Sequence, residues 1–477
     1  MELLITTLAL GLISFIVPQK NIRLFGLIAS LIPAGISIAY LMAYEAGSTV
    51  QLFDPGKKYQ FGLTLEMSYD AIGLIMIVLT SLSIPIILLS NYNMESSRSK
   101  LFHALVFLMQ FGMLGVFVAS DGILFYVFWE FTLIPIFLIL YWFGKRNNKV
   151  LLKFFLYTLV GSLAMLLSLI ALGSKSDSFG YADLLNVQLT TNMAYWIMGG
   201  FLLAFAIKIP LAPFHTWQAE TYANSSMAGT MLLSALMLKM ALFGILKWMI
   251  PLAPEGLENF KWLVIVLGVG SVVYGGIICI KQNDIKKIFA YASVSHLGLI
   301  TAGLFLFNEN VLKGAMIQII NHSIVSIGLF LVAEILISRM NTHNIKEMGG
   351  VAKLAPKFGL WFTLILLVSI SVPFTAGFIG EFILIKELSQ LHLFSGLLSA
   401  TTLVFGAVYM LRTFQISMHS APKTTHFEDL KWNELAVFII LMIFSIIFGL
   451  FPSIISNFMD ASVTQLLNTF NELPIVK

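Results

Sequence analysis

The sequence predicts an all-α polytopic membrane protein with about 14 transmembrane helices and two inverted five-helix repeats. Three observations support this fold class. The 477 residues are 58% hydrophobic and only 11% charged, whereas about one-quarter of the residues in soluble domains are charged. Apolar segments of about 20 residues, the length that crosses a bilayer, recur throughout the chain. Prolines interrupt two of these segments, at Pro210 and Pro373.

The apolar segments divide the chain into predicted helices 1 to 14. The first, MELLITTLALGLISFIV, lacks a basic n-region and an A-x-A cleavage site, so we interpret it as a membrane helix and not as a cleaved signal peptide. Tyr44–Tyr69 is expected to form a folded loop, and the amphipathic piece Pro452–Lys477 is expected to lie at the membrane surface. The predicted limits are 2–17, 22–43, 70–90, 101–119, 122–143, 150–173, 193–222, 227–250, 261–281, 284–307, 311–338, 358–389, 393–418 and 433–452.

The positions of lysine and arginine predict the orientation of the chain. Most of them lie in the odd-numbered loops, among them Arg23, Arg98, Lys145 and Arg412. Cytoplasmic loops carry such a positive excess, so both termini are expected on the outer side. No Arg-rich tract is present, which argues against a nucleic-acid partner. The single cysteine, Cys279, excludes a disulfide framework and a four-cysteine iron–sulfur or zinc site within the chain.

The two interrupted helices occupy equivalent places in two halves of the chain. Pro210 falls in the fourth of predicted helices 4–8, and Pro373 falls in the fourth of predicted helices 9–13. Because five is an odd number, the two sets insert with opposite topology, and paired broken helices in inverted repeats mark a transport site. The expected domains are the N-terminal helices with the outer loop, the two repeats, and helix 14 with the tail, at residues 1–100, 101–250, 261–418 and 419–477.

Several titratable residues are predicted to lie near the middle of the membrane, given a helical rise of about 1.5 Å per residue. Snorkelling side chains stay near helix ends instead, and a central charge costs about 2.5–3.5 kcal/mol on insertion scales. Residues that bear this cost mark ion or proton pathways. The six candidate site residues are Glu130, Lys208, Lys239, His296, His322 and Glu381.

Glu130 and Lys208 are the expected charge pair of the first half. A neighbouring carboxylate favours the ammonium form of a lysine, whereas desolvation favours its neutral form. The proton affinity of the lysine then depends on how close the glutamate lies, which is the property that a gated proton carrier needs. The other four candidates would extend the pair into a chain of titratable groups joined by water, although either histidine fits a helix-packing role equally well.

Other charged residues in the apolar segments have simpler interpretations. Lys247 and Lys386 lie near predicted helix ends and are expected to snorkel to the membrane surface. Glu334 lies near the end of predicted helix 11 and is expected to pair with Arg339 at the interface. None of these four residues is assigned a role in transport.

Polar residues at helix ends and breaks are expected to have capping or local roles. Asp70 and Asp121 are expected to cap helices 3 and 5. His215 and Glu220 follow the first break, where they either line the cytoplasmic entry or satisfy backbone groups that the break frees. Gly268-x-Gly270 resembles the start of a dinucleotide fingerprint, but it lacks the third glycine and a preceding strand. No Walker motif is present, so ATP is not expected to drive transport.

Six motifs surround the candidate residues. They are FWEFTLIP (Phe128–Pro135), KIPLAPFHTWQAETY (Lys208–Tyr222), DIKKIFAYASVSHLG (Asp284–Gly298), NHSIVSIGLF (Asn321–Phe330), MGG (Met348–Gly350) and GFIGEF (Gly377–Phe382). Together they resemble the antiporter-like membrane subunits of respiratory NADH:quinone oxidoreductase, complex I. The resemblance covers about residues 65–450 and implies fourteen helices with two inverted repeats.

The residue after the second break points to one subunit type. L-type, N-type and antiporter D-type subunits usually carry lysine there, whereas Glu381 resembles the M-type (chain 4-type) subunit. The L-type also has a long lateral helix after helix 14, for which little of this chain remains. The resemblance implies that Glu130 and Lys208 form a modulating pair, that Lys239 relays protons, and that Glu381 completes the route outward.

The resemblance also implies partners and a location. It implies a subunit of a proton-pumping enzyme in the bacterial inner membrane, with no cofactor of its own. Flavin, iron–sulfur clusters and the chemistry of ubiquinone or menaquinone belong to other subunits. The implied partners are neighbouring antiporter-like subunits, the lateral helix of the L-type subunit, and lipid.

Three other functions remain as alternatives. The first is the large subunit of a multisubunit Na⁺/H⁺ antiporter, against which Glu381 weighs. The second is a structural scaffold in a respiratory complex, against which the buried charges beside paired breaks argue. The third is a stand-alone solute carrier, for which the sequence gives no sign of a large binding cavity.

Overall fold

The computed structural model describes residues 1–93 and 97–472, and helices predominate in this part of the chain. The helices before the second half are α1 Glu2–Ile16, α2 Ile22–Ala43, α3 Ala71–Ser90, α4 Ser99–Val118, α5 Gly122–Phe131, α6 Leu133–Phe143, α7 Asn148–Gly173, α8 Tyr181–Leu185, α9 Thr191–Lys208, α10 Gln218–Asn224, α11 Met227–Met231, α12 Lys239–Gly244 and α13 Ile250–Leu252. The later helices are α14 Pro254–Lys281, α15 Ile285–Leu304, α16 Glu309–Met340, α17 Val351–Leu354, α18 Pro356–Ser369, α19 Ala376–Leu391, α20 Leu393–Phe414, α21 Trp432–Leu450 and α22 Ser453–Glu472.

The remaining elements are short. The predicted folded loop contains an antiparallel pair of strands, β1 Val50–Phe53 and β2 Met67–Tyr69. Two 3₁₀ turns occupy Gln60–Gly62 and Ile345–Glu347. Three π-helical turns continue neighbouring α-helices, at Leu232–Met237, Ile245–Met249 and Gln415–His419.

Ten helical segments of the described residues are long and apolar enough to cross a membrane, so the chain is a multi-pass membrane protein. Glu2–Ile16 and Pro356–Ser369 are apolar but shorter. The ten segments are Ile22–Ala43, Ala71–Ser90, Ser99–Val118, Gly122–Phe143, Asn148–Gly173, Met227–Leu252, Pro254–Lys281, Glu309–Met340, Leu393–His419 and Trp432–Leu450.

The core lies around two segments that are buried on all sides. The apolar stretch of Met227–Leu252 is wholly buried, and that of Glu309–Met340 is almost wholly buried. α16 is the central helix of the second half, because it packs against α15, α18, α19, α21 and α22. A helix that is apolar all round is stable only when it is surrounded in this way, and both segments carry candidate site residues.

Both predicted breaks are present. α9 ends at Lys208 and the chain resumes as α10 at Gln218. α18 ends at Ser369 and α19 begins at Ala376. Proline lacks a backbone donor and clashes with the preceding turn, so each break follows from the local sequence. Each break also places a charged candidate near a helix end: Lys208 is the last residue of α9, and Glu381 lies in the second turn of α19.

Two glycines set the distance between α14 and α15, and thereby the position of His296. A Cβ atom on Gly268 would lie 2.6 Å from the Gly298 carbonyl oxygen, and one on Gly298 would lie 2.5 Å from the Gly268 oxygen. The backbones touch because neither residue has a side chain, as is common between membrane helices. Gly268 and Gly270 therefore belong to a helix interior and not to a nucleotide-binding turn.

Gly268→Ala should destabilise the protein by about 1–3 kcal/mol, because the new methyl group meets rigid backbone. Gly270→Ala is the matched control, since a Cβ at Gly270 would have no atom of the described residues within 4 Å. That substitution should be neutral or stabilise the helix by up to about 1 kcal/mol. Denaturant unfolding of both variants in mixed micelles measures the difference, and equal effects would contradict the packing described.

Candidate functional site

Four of the six candidate residues form two directly contacting pairs: Lys239 of the first half contacts His322 of the second half, and His296 contacts Glu381 within the second half. Lys239 Nζ lies 2.8 Å from His322 Nδ1 and donates to the Ser234 carbonyl oxygen at 2.5 Å. His296 Nδ1 lies 2.7 Å from Glu381 Oε1. All four side chains are buried, and Lys239 is 0% exposed. The structure thus gives an order, Lys239, His322, His296, Glu381, that the sequence did not provide.

Helix packing explains how these side chains meet. Gln318 and His322 are four residues apart on α16 and therefore share one face. Gln318 Nε2 donates to Glu381 Oε1 at 2.9 Å, so one carboxylate oxygen faces two nitrogens, this amide and the His296 ring. Nothing in the sequence marked Gln318, because an amide inside an apolar helix resembles an ordinary packing residue. We name these five residues, Lys239, His322, His296, Glu381 and Gln318, the buried line.

A small cavity bridges the two pairs. The ring centroids of His296 and His322 are 6.3 Å apart, which is too far for a direct hydrogen bond. Both rings line a cavity of about 20 Å³, and about 10–15 Å³ is enough for one water molecule. Its polar lining also includes Ser293, Ser326 and Tyr409. The cavity therefore has the size and the partners that a bridging water needs.

The helix around Lys239 is irregular. The π-helical turn Leu232–Met237 precedes Lys239, and the π-helical turn Ile245–Met249 follows it one short α-helix later. A π turn frees backbone carbonyls from the regular ladder and is frequent at functional sites. The Lys239 ammonium donates to a carbonyl oxygen of the first π-helical turn, that of Ser234. Sequence periodicity gave no indication of these turns.

In the first half, Lys208 faces an aromatic ring and not a carboxylate. Its Nζ lies 4.5 Å from the Trp129 ring centroid, a cation–π distance, and the residue is 3% exposed. Among the described residues, Glu130 does not come within ion-pair distance of Lys208, so the predicted contact is absent. The reason is geometric: Trp129 covers the ammonium, and the next residue of the helix points about 100° away. Glu130 is half-buried, with Ser162 and Lys208 as its electrostatic neighbours.

Residues other than those expected form hydrogen bonds with the backbone groups that the first break frees. Trp217 Nε1 donates to the Ile207 carbonyl oxygen at 2.9 Å, and the Ala212 amide donates to Ser271 Oγ at 2.8 Å. His215 Nε2 instead lies 3.2 Å from the Tyr274 hydroxyl. Glu220 is exposed and pairs with Lys287. The backbone role proposed for His215 and Glu220 therefore belongs to Trp217 and Ser271.

One lysine that was expected to snorkel is paired instead. Lys247 Nζ lies 2.6 Å from Asp70 Oδ2, and Asp70 Oδ1 accepts from the Gly73 amide, which confirms the predicted cap. Burial alone would raise the pKa of Asp70, but the Lys247 ammonium and the Gly73 amide hold that pKa below its usual range. Lys386 does remain half-exposed.

The two other predictions about charged residues had different outcomes. The Asp121 carboxylate accepts from the Ile123 and Leu124 amides, which confirms the second cap. Glu334 pairs with Lys286 at 3.5 Å, whereas Arg339 pairs with Glu434 at 2.7 Å. The predicted Glu334–Arg339 pair was therefore wrong. Each partner comes from a distant part of the chain, and spacing along one helix could not reveal it.

A family model, curated relatives and solved structures all match membrane subunits of respiratory or antiporter complexes. The family model described as NADH:quinone oxidoreductase/Mrp antiporter, TM, matches residues 119–406, a range that contains all six candidates. NADH-quinone oxidoreductase subunit M of Rickettsia typhi is 32% identical over 459 residues, covering 94% of this chain and 92% of the relative. A chain of respiratory complex I from Thermus thermophilus with bound NADH is similar with a TM-score of 0.88 and 26% identity, covering 99% of both chains. A chain of the Mrp complex from a Dietzia species has a TM-score of 0.86 at 18% identity, covering 98% of each chain, a similarity of fold alone.

Lys247→Met should destabilise the protein by about 3–5 kcal/mol, because it leaves the Asp70 carboxylate buried without its partner. The effect should be present at neutral pH. It should begin to shrink at a higher pH than the lowered pKa of wild-type Asp70, because the variant lacks the ammonium that lowers this pKa and protonation then removes the unpaired charge. Denaturant unfolding in mixed micelles at several pH values measures both quantities.

Two further variants test the cause. Asp70→Asn added to Lys247→Met should recover much of the lost stability, because no buried charge then remains. Lys386→Met removes a half-exposed lysine 3.8 Å from Glu387 and should change stability little. Equal destabilisation by Lys247→Met and Lys386→Met would show that the Asp70 contact is unimportant.

Proposed function

We propose, from the premise that this chain belongs to the NADH:quinone oxidoreductase/Mrp antiporter family of membrane proteins, that it is the M-type proton-translocating subunit of a NADH:quinone oxidoreductase. The observation that carries the proposal is the buried line, in which two contacting pairs of titratable side chains lie on either side of a small cavity in the membrane interior. Relatives from bacteria and plants that carry the names subunit M and chain 4 support the subunit type. Glu381 after the second break agrees with it.

The buried line can pass a proton along its length. An ammonium at Lys239 delivers a proton to His322 Nδ1 across 2.8 Å. A water in the small cavity carries a proton from His322 to His296, and His296 delivers one to Glu381 Oε1 across 2.7 Å. Each transfer breaks one N–H or O–H bond and forms another, so no redox centre is needed within the line. Gln318 holds the Glu381 carboxylate in place to receive the proton.

Glu130 and Lys208 act as the input switch. Lys208 is deeply buried and rests on Trp129, so its charged form has little other stabilisation nearby. Movement of Glu130 towards Lys208 favours the ammonium, and its withdrawal favours loss of the proton towards Lys239. Energy from redox chemistry in partner subunits would drive this movement. The separated arrangement of the two residues then represents the released state of the switch.

The proposed topology has fourteen membrane crossings. The ten spans, together with α1, the broken pair α9–α10, α15 and the broken pair α18–α19, make fourteen crossings. Predicted helices 4–8 and 9–13 form the two inverted repeats, within domains 101–250 and 261–418. Both termini lie on the outer side of a bacterial inner membrane. The placement of the two breaks beside Lys208 and Glu381 supports this arrangement.

The partners follow from the same premise. Neighbouring antiporter-like subunits and the lateral helix of an L-type subunit would contact this chain in the membrane. Flavin and iron–sulfur clusters would reside in other subunits, and the chain itself would contribute no redox centre. Purification of the chain with its native partners tests this: flavin and iron–sulfur absorbance should co-purify. A preparation that instead contains only small membrane subunits and exchanges Na⁺ for H⁺ would favour the antiporter alternative.

Lys208→Ala in the assembled complex should lower proton pumping at least about tenfold, because the switch then has no proton to release. The rate of quinone-linked NADH oxidation should fall together with the pumping rate where oxidation and pumping are coupled. Dye-quench measurement of pumping in proteoliposomes, alongside NADH oxidation, gives both rates. The amount of assembled complex should stay unchanged, which separates this role from that of a structural scaffold.

Two variants serve as controls. Lys208→Arg keeps a charge but does not readily release a proton, so it should be as defective as Lys208→Ala. Lys386→Ala removes a half-exposed lysine of α19 and should leave both rates intact. Wild-type pumping and NADH oxidation in Lys208→Ala would show that the proposed switch is wrong.

A further inference from the structure

A polar pocket lies apart from the buried line, where α2 begins, α3 ends, α4 begins and α6 ends. Its volume is about 260 Å³, compared with about 20 Å³ for the small cavity. It is therefore far larger than the cavity between His296 and His322 and is open enough to take a small polar group. The lining residues are Arg23, Leu88, Asn91, Tyr92, Ser99, Phe102, His103, Trp142, Phe143 and Ser226.

The charge of this pocket is positive. Arg23 lines it, and in the part of the chain that the structure describes this guanidinium forms no ion pair. No carboxylate is among the described residues that line the pocket. A pocket with this charge favours an anionic group.

His103 adds a second requirement on the ligand. The residue is 7% exposed, and its Nδ1 lies 2.8 Å from the Ser99 carbonyl oxygen. A carbonyl can only accept, so Nδ1 carries the proton, and in the neutral ring Nε2 is an acceptor. Among the described residues Nε2 forms no hydrogen bond. The pocket therefore offers a guanidinium donor and an imidazole acceptor, which together suit a phosphodiester that also bears a hydroxyl group.

The location of the pocket suits a lipid better than a soluble anion. It sits where membrane helices end, on the side that bears the positive loops, and aromatic residues such as Tyr92 and Trp142 are typical of that depth. Leu24 and Ile28 follow Arg23 on α2 and are 54% and 56% exposed. These apolar side chains can contact acyl chains while the headgroup lies near Arg23. Basic pockets between membrane helices on the cytoplasmic side bind anionic headgroups in this way.

We propose that the pocket lined by Arg23 and His103 binds the headgroup of an anionic glycerol phospholipid such as phosphatidylglycerol. The Arg23 guanidinium binds the phosphodiester, and His103 Nε2 accepts from a headgroup hydroxyl. The bound lipid would fasten the start of α2 to the ends of α3, α4 and α6, at a distance from the proton route. The site is independent of proton translocation.

The test uses the complete complex, purified in detergent as wild type, Arg23→Gln and Lys20→Gln. Each preparation is incubated with mixed micelles that contain phosphatidylglycerol or phosphatidylcholine, and the bound lipid is titrated. Arg23→Gln should bind phosphatidylglycerol about fivefold more weakly, since each basic residue contributes about 1 kcal/mol to anionic-lipid attraction. Lys20→Gln, at a position just before α2 and outside the pocket lining, should bind about as tightly as wild type.

A second measurement on the wild-type complex remains valid even where a variant fails to assemble. A photoactivatable phosphatidylglycerol should label peptides from residues 20–28, 88–103 or 139–143. Loss of the label with excess phosphatidylglycerol, but not with inorganic phosphate or phosphatidylcholine, is the expected result. Competition by inorganic phosphate would show that the pocket binds a free anion. Label confined to other segments would show that the lipid binds elsewhere, which would leave an acidic partner protein as the occupant of the pocket. Either result, or unchanged affinity in Arg23→Gln, would overturn the proposal.

Discussion

The cost of placing a charge in a lipid bilayer governs this structure. Lys208, Lys239 and Glu381 all lie in the interior of an apolar helical protein, where a central charge costs about 2.5–3.5 kcal/mol on insertion scales. The protein meets this cost with specific partners: an aromatic face for Lys208, a carbonyl oxygen and His322 for Lys239, and two nitrogens for Glu381. The broken helices, the π-helical turns and the fully buried segments provide these partners. Without them the titratable groups would not be stable at this depth.

The same partners make protonation responsive to geometry. A buried group with few contacts changes its proton affinity strongly when one contact moves. Lys208 has one prominent neighbour, the Trp129 ring, and the carboxylate that could alter its charge lies on the adjacent residue. A small movement of that helix can therefore change the state of Lys208. In contrast, Glu381 is held by side chains from two different helices and suits the role of a fixed receiver.

Local sequence predicted the features that depend on local chemistry. The break after Lys208 and the break near Pro373 follow from proline, and the caps at Asp70 and Asp121 follow from their side chains. Features that join distant segments were not predictable from one sequence. The Asp70–Lys247 pair, the Gln318 contact with Glu381 and the order of the two histidines depend on which helix faces meet. Burial could be inferred from composition, but the partner of each buried charge could not.

The most direct test of the account is the number of protons pumped per NADH oxidised by a His322→Leu variant of the assembled complex. His322 is the link between Lys239 and the small cavity, and leucine keeps the apolar volume without a titratable nitrogen. Proteoliposomes with a pH-sensitive dye and a calibrated NADH pulse give this ratio. The account predicts a lower ratio than that of the wild type, with the complex still assembled. An unchanged ratio at an unchanged rate would show that protons do not travel through the buried line.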